Sequence, residues 1–356
     1  MNMPNTSATQ APTLERQAFA FTGSAGEYFK IWIVNLLLSI VTLGIFSAWA
    51  KVRSKRYFYG NTTVAGHNFE YHGNPIRILI GRLIALVLLI GYSVSIQLSA
   101  TALAFWLLVL LVAVPWLIVS SLRFNARNSS YRNVRLNFHG SYWQAIKALY
   151  LWPLLALITL YTTLPLAHRA GNYFYVNNHS YGGEPLHTTM PGGKMYAYYA
   201  ACLLLPLVMF IIIAIAVAGT VVVQSAALED PEAISTMVQA AIGSWLLLIV
   251  VAYVALIVGS MILPVLIFNL AVSNMTLAGQ HEFRATLSPW AMLWINFSNV
   301  VVVLLTLGLA YPWARVRLAR YQFSHLELLA ASDLSEFNSG AMGDMNAIGE
   351  EVAGFF

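Results

Sequence analysis

Apolar and charged positions separate into long blocks along this chain. No Asp, Glu, Lys or Arg lies between Lys30 and Lys51, Arg82 and Arg123, Lys147 and Arg169, Lys194 and Glu229, Glu232 and Glu282, or Arg284 and Arg315. A bilayer core about 30 Å thick takes about 20 apolar helical residues. One segment per block, with the long Arg82–Arg123 block split near Gln97, predicts seven spans, near 29–50, 76–98, 101–122, 143–167, 196–223, 244–270 and 289–313. Between them the period changes from helical to two. Val64–Gly73, Val134–Gly140 and Leu277–Ala285 alternate, each after a turn at Asn61, Asn128 or Asn274, and a degraded version surrounds Asn177 to Pro191. Such alternation, with Gly and Asn at its ends, reads as short strands or hairpins. The pattern predicts an all-α polytopic membrane protein, with about seven transmembrane helices, internal repeats and short β-like interspan hairpins.

Composition sharpens this. Hydrophobic residues make up 59% of the 356 positions and charged residues 9%, against about 45–50% and about 25% in soluble domains. A soluble globular protein is excluded. Cys202 is the single cysteine, which rules out an intrachain disulfide or an all-cysteine metal site. A net charge of +5 gives no electrostatic footprint for nucleic acid. Residues 1–18 are polar and do not resemble a cleavable signal. Residues 326–356 carry six acids and no Lys or Arg, and both ends are expected to be disordered tails. A membrane domain over 19–325 is expected between them, with related units at about 19–73, 135–190 and 276–325.

Lys and Arg collect on the cytoplasmic side of membrane proteins. If seven spans alternate, thirteen fall on one side and five on the other, leaving aside Arg82 within a span. This favours the N-terminus outside and the C-terminus in the cytoplasm of a bacterial inner membrane. The rival arrangement makes 29–50, 143–167 and 289–313 re-entrant, with every β-like link cytoplasmic and the N-terminus inside.

The repeat is the most specific feature. Residues 43–57 and 307–321 align without a gap at an offset of 264, pairing Trp49 with Trp313, Arg53 with Arg317, Arg56 with Arg320 and Tyr57 with Tyr321. A weaker middle copy runs from Arg135 to Tyr173 and lacks the cations at its exit. The runs Thr42–Arg53, Arg56–Thr62 and Gly66–Pro75 resemble the YjgN-like bacterial inner-membrane family. That resemblance covers about residues 17 to 325. It implies a multi-pass membrane protein and no established activity, cofactor or catalytic residue.

The candidate chemistry is sparse. His67, Glu70 and His72 have short spacing that suits zinc, but on a strand His67 points away from the other two, so they are weak metal candidates beside a reading as interfacial polar residues. No nucleophile, phosphate-loop or dinucleotide motif is present, so an enzyme is not expected. Within the spans, Asn35 and Asn299 occupy equivalent repeat positions and suit hydrogen bonding between helices. Trp49, Arg53 and Arg56, and likewise Trp313, Arg317 and Arg320, share one helix face at i, i+4 and i+7. Indoles prefer the headgroup level and arginine suits phosphates, so these six are candidate anionic-lipid residues at the cytoplasmic face, beside a simpler role as topology anchors. The expected partners are therefore the bilayer and its anionic headgroups. The favoured function is a transporter or lipid-handling protein for a neutral or lipid-like substrate. The alternative is a non-enzymatic scaffold or assembly factor.

Overall fold

The computed structural model of the protein describes residues 14–226 and 231–331. Among these residues eleven short strands form one sheet in the order β1-β11-β10-β9-β8-β7-β6-β5-β4-β3-β2. β1 (Glu15–Ala18) and β2 (Ala20–Phe21) are separated by Phe19 alone. The two edges of the sheet are thus one continuous piece of chain, and the sheet closes into a barrel-like ring. The ring extends a few residues beyond 19 and 325 at each end, because Glu15–Ala18 and β11 (Leu326–Ala330) pair antiparallel, Glu15 opposite Ala330 and Ala18 opposite Glu327. The rest of both expected tails lies outside the described residues.

The other strands form four hairpins: β3 (Thr62–Val64) with β4 (His67–Tyr71), β5 (Ser129–Tyr131) with β6 (Val134–Phe138), β7 (His179–Tyr181) with β8 (Glu184–Thr188), and β9 (Met275–Leu277) with β10 (His281–Ala285). Between hairpins the chain leaves the ring on a helix and returns on another. Among the described residues five such excursions occur. Three are short: α1 (Ala25–Val41) with α2 (Ser47–Gly60), α5–α6 (Tyr142–Ile146 and Trp152–Ile158, joined by a π-helical turn over Lys147–Leu151) with α7 (Leu164–Val176), and α11 (Pro289–Leu305) with α12 (Tyr311–Phe323). Two are long: α3 (Pro75–Leu98) with α4 (Ala100–Arg127), and α8–α9 (Gly192–Tyr199 and Leu205–Ala226, joined by a π-helical turn over Ala200–Leu204) with α10 (Pro231–Ser273). Each leg packs on its neighbours around the ring, and α12 closes against α1.

This corrects the expected all-α, seven-span fold. Among the described residues four helical stretches are long and apolar enough to cross a membrane, Pro75–Leu98, Ala100–Arg127, Gly192–Gly219 and Ser235–Ser273. The three remaining apolar segments turn back. Their outgoing legs, Ala25–Val41, 142–158 and Pro289–Leu305, reach about 25 Å at 1.5 Å per residue before the chain reverses. Composition cannot separate them from spans, because both are equally apolar. The pairing of β1 with β11 also puts both ends of the described chain on one face, so an N-terminus outside with a C-terminus inside has no support in this fold.

The reversals have a common construction. Thr42 Oγ1 donates to Leu38 O (2.7 Å) and accepts from Phe46 N (2.9 Å). Thr306 does the same between Val302 O (2.8 Å) and Ala310 N (3.0 Å), and Thr159 between Leu155 O (2.8 Å) and Thr163 N (3.4 Å). After each threonine come two residues at positive φ: Leu43 and Gly44, Leu160 and Tyr161, Leu307 and Gly308. The second of these donates its amide back across the turn, to Ser39 O, Ala156 O and Val303 O respectively. Backbone groups in hydrocarbon must be satisfied internally, and these turns satisfy theirs. The leucines at the tips, Leu43 and Leu307, are each 95% exposed, which is tolerable only against lipid.

Candidate functional site

Five equivalent junctions hold the legs on the ring. Each returning leg ends at a residue whose side chain donates to the carbonyl four residues back: Asn61 to Tyr57 O, Asn128 to Phe124 O, Asn178 to Phe174 O, Asn274 to Leu270 O, and His325 to Tyr321 O, all at 2.7–2.8 Å. The backbone carbonyls of the same five residues accept from the amides just past the neighbouring strands, Thr22, His72, His139, Thr189 and Thr286, at 2.8–3.1 Å. Five residues earlier on each returning leg sits a clamp. Arg123 donates to Gly140 O (3.3 Å) and Arg320 to Gly23 O (3.1 Å). Tyr173 accepts from Met190 N (3.0 Å), and Asn269 donates to Leu287 O (2.7 Å) while accepting from Leu287 N (3.2 Å). Arg56 donates to Tyr71 O (3.2 Å). Most outgoing legs then start at a capping side chain, Ser24, Asn74, Ser141 or Ser288, which satisfies first-turn amides.

Inside the ring, alternate strand positions point to the axis. Val64, Tyr131, Tyr181, Leu277 and Leu328 form a buried cluster with Phe19, Phe69, Leu136, Leu186 and Phe283. Phe69 stacks on Phe19 (6.3 Å) and meets Tyr131 at 4.8 Å. Tyr131 Oη donates to Val64 O (2.8 Å), and Tyr181 Oη to Tyr131 O (3.1 Å). The neck of the ring is therefore packed shut with apolar side chains. Burial, reinforced by Tyr131 and opposed by Arg132, pushes the Tyr181 phenol up to about 12, so it remains a donor.

On the helix side of this plug is a cavity of about 410 Å³, within the size range of small-ligand sites. Phe58 and Tyr59 of α2, Asn125 and Ala126 of α4, and Tyr175 of α7 form its helical wall, and Phe323 of α12 completes it. Strand residues Thr62, Phe69, Ser129, Leu136, His179 and Met275 close the ring side. The surface is apolar and aromatic with a few polar groups. His179 donates through Nδ1 to Tyr175 O (2.5 Å). Burial depresses its pKa below 6.5, His139 depresses it further, and the bond to Tyr175 opposes both. In the four stretches long enough to span a membrane, only 6–12% of the most apolar 18-residue window is buried within the protein.

The residues singled out by the repeat are placed at the legs' outer side. Arg53 donates to Asn35 Oδ1 (3.1 Å), and Arg317 donates to Asn299 Oδ1 (3.0 Å) and Ser298 Oγ (2.7 Å). Asn35 and Asn299 are buried, so each pair fastens a returning leg to its outgoing partner. The Arg317 guanidinium lies 5.1 Å from the Trp313 ring centroid. Trp313, Arg317, Arg320 and Tyr321 border a groove of about 360 Å³ that also touches Ala25 of α1. Trp49 stacks on Phe46 (6.1 Å). Arg56 and Arg320 serve as the junction clamps described above.

The weak metal candidates do not assemble. His72 Nε2 lies 3.3 Å from Glu70 Oε2 and 2.8 Å from Ser130 Oγ. His67 is at the other end of β4, and among the described residues no group of three or more His, Cys, Asp or Glu side chains converges. Sequence reasoning missed the cavity wall and the clamps at Arg123, Tyr173 and Asn269. Their signal was the spacing to the strand-opening Asn, five residues in each unit.

Comparison with known proteins gives a consistent placement. The chain is 25% identical to the inner membrane protein YjgN of Salmonella typhimurium strain LT2 over 357 residues, covering 90% of each chain. It is equally 25% identical to the inner membrane proteins YjgN of Escherichia coli O157:H7 and of Escherichia coli K12, over 89% of each chain. No solved structure matches it significantly. With residues 16–355 matching the family described as bacterial proteins of unknown function (DUF898), the chain belongs to that family and is a bacterial inner-membrane protein.

Proposed function

We propose that this protein handles lipid or a lipid-like amphiphile, non-enzymatically, at the cytoplasmic face of the inner membrane. The observation that carries the reading is the axial cavity. It is apolar, it lies on the membrane side of a plugged neck, and the long legs beyond it bury little of their surface within the protein. A conduit for a soluble solute needs a polar path, and the packed neck offers none. A pure scaffold needs no cavity on its axis.

The ring is assigned to the cytoplasm. No Lys or Arg lies between Arg82 and Arg123 or between Lys194 and Arg284, so the far ends of both long hairpins carry none, and the cations gather toward the ring. Both termini are then cytoplasmic. The groove at Trp313, Arg317 and Arg320 supports an anionic headgroup on the outer side of the ring, with Trp49, Arg53 and Arg56 as its counterpart one repeat away. The test is native mass spectrometry after gentle extraction. A lipid should remain bound to the parent and be lost from Met275→Trp, which fills the cavity. A parent free of lipid, or equal retention in both, contradicts the reading.

A further inference from the structure

Lys51 and Arg315 are also repeat equivalents, at the same offset of 264. They lie on the helix face opposite Arg53 and Arg317. Lys51, Lys55 and Phe58 fall at i, i+4 and i+7 on α2, one face of the helix, and Phe58 is a wall of the axial cavity. Lys55 sits on that wall's rim: its Nζ donates to Asn125 Oδ1 (2.7 Å) and lies 4.5 Å from the Tyr71 ring centroid. Asn125 lines the same cavity. From α12, the Arg315 guanidinium lies 5.4 Å from the Phe58 ring centroid. Lys55 and Arg315, from two returning legs, therefore both border the cavity wall, at Asn125 and Phe58, and Lys51 lies one turn from Lys55 on the same face of α2.

Among the described residues no carboxylate lies within ion-pair distance of them. The ion pairs among the described residues are Arg16 with Glu327 and His72 with Glu70, both at the strand ring. Lys51 and Arg315 are exposed, so they are available to a ligand. Unpaired cations beside an apolar chamber define an amphiphile with an anionic end. The plugged neck blocks entry from the hairpin-turn side, which leaves the bilayer as the source.

We propose that Lys51, Lys55 and Arg315 bind the phosphate of one anionic phospholipid on the ring axis, with an acyl chain in the cavity beneath them. This rests on the lipid-handling reading and adds a headgroup class and the residues that select it. It is separate from the outer groove at Arg317 and Arg320.

The test uses the full-length protein in nanodiscs of equal phosphatidylglycerol and phosphatidylcholine, with the most tightly held lipid read by native mass spectrometry. The parent should retain phosphatidylglycerol in preference. Lys51→Gln with Lys55→Gln and Arg315→Gln should cut that preference by about tenfold or more, since each cation near anionic lipid contributes measurably, while total lipid retention persists. Lys51→Arg with Lys55→Arg keeps the charge and should keep the preference, which controls for folding. An unchanged preference in the triple Gln variant overturns this site and leaves the lipid-handling reading intact. Displacement of the parent's lipid by millimolar inorganic phosphate alone would assign the cations to a soluble anion and overturn the proposal. Met275→Trp separates the two readings, because full lipid retention there counts against the cavity whatever the cations do.

Discussion

The short and long helical hairpins attach to the ring in the same way and end in opposite ways. At the ring, both kinds finish at a capping Asn or His, both are clamped five residues earlier, and both feed the same strand pairing. At the far end they differ. The α3–α4 hairpin turns through Ser99, whose side chain caps Ala102 N (3.1 Å), with Gln97 and Thr101 beside it, as suits a turn that reaches water. The short hairpins turn through a threonine that bonds both legs at once and through residues at positive φ, with bare leucine at the apex. The repeating unit is thus the ring junction, and hairpin length is the free variable. A hairpin can stop inside hydrocarbon only if its reversal uses up its own backbone groups.

That comparison can be broken at several points. The largest effect should come from the ring that both hairpin classes share. Leu328 is 4% exposed inside the neck, and Leu328→Asp buries an unpaired charge at a cost of several kcal/mol. Thermal unfolding in detergent should lose its cooperative transition. A shift of only a degree or two would mean that the strands do not hold the hairpins together.

Thr306→Val tests the reversals themselves. It removes two hydrogen bonds in an apolar setting and should cost about 1–2 kcal/mol. Ser99→Ala removes one cap at a wet end and should cost about 1 kcal/mol or less. Equal losses by denaturant titration would erase the distinction. Gly308→Ala adds a smaller test, since Gly308 has φ 91°, and a Cβ there should cost about 1 kcal/mol. A neutral outcome would mean the turn relaxes.

Acid gives the smallest effect. His179 stays neutral in the fold because burial depresses its pKa below 6.5. Above that value neither state is protonated and the residue is silent. Below it the unfolded chain takes the proton first, so stability falls with pH. The parent should lose stability as pH falls below about 6.5, and His179→Phe should flatten that slope. An unchanged slope would place the acid sensitivity on other groups.

Much of the architecture was legible in the sequence. The charge-free blocks marked the four long apolar stretches and the apolar part of the short hairpins' outgoing legs, the alternating segments marked four of the strand hairpins, and the offset of 264 paired Asn35 with Asn299, each of which holds an arginine. The reversal of the short legs was not legible, because a 17-residue apolar helix and a span have the same composition. Thr42-Leu43-Gly44 and Thr306-Leu307-Gly308 carried the turn, but the middle copy has Tyr161 where the others have Gly, which hid the rule. Ring closure was hidden because strands of two to five residues have little pattern of their own, and because the fifth hairpin is split between the two ends of the chain. The cavity wall was invisible for a related reason. Its residues come from α2, α4, α7 and α12, and only closure brings them to one axis.

The central claim is that the short hairpins stop inside the bilayer while the long ones cross it. It is tested most directly by single cysteines at Leu43, Leu307, Ser99 and Gly66, in a Cys202→Ser background, with a membrane-impermeant thiol reagent applied to intact cells and to inverted vesicles. The Ser99 site should be labelled only in cells and the Gly66 site only in inverted vesicles, with the Leu43 and Leu307 sites labelled in neither. Labelling of the Leu43 or Leu307 site in intact cells would restore full spans at those positions and contradict the closed ring.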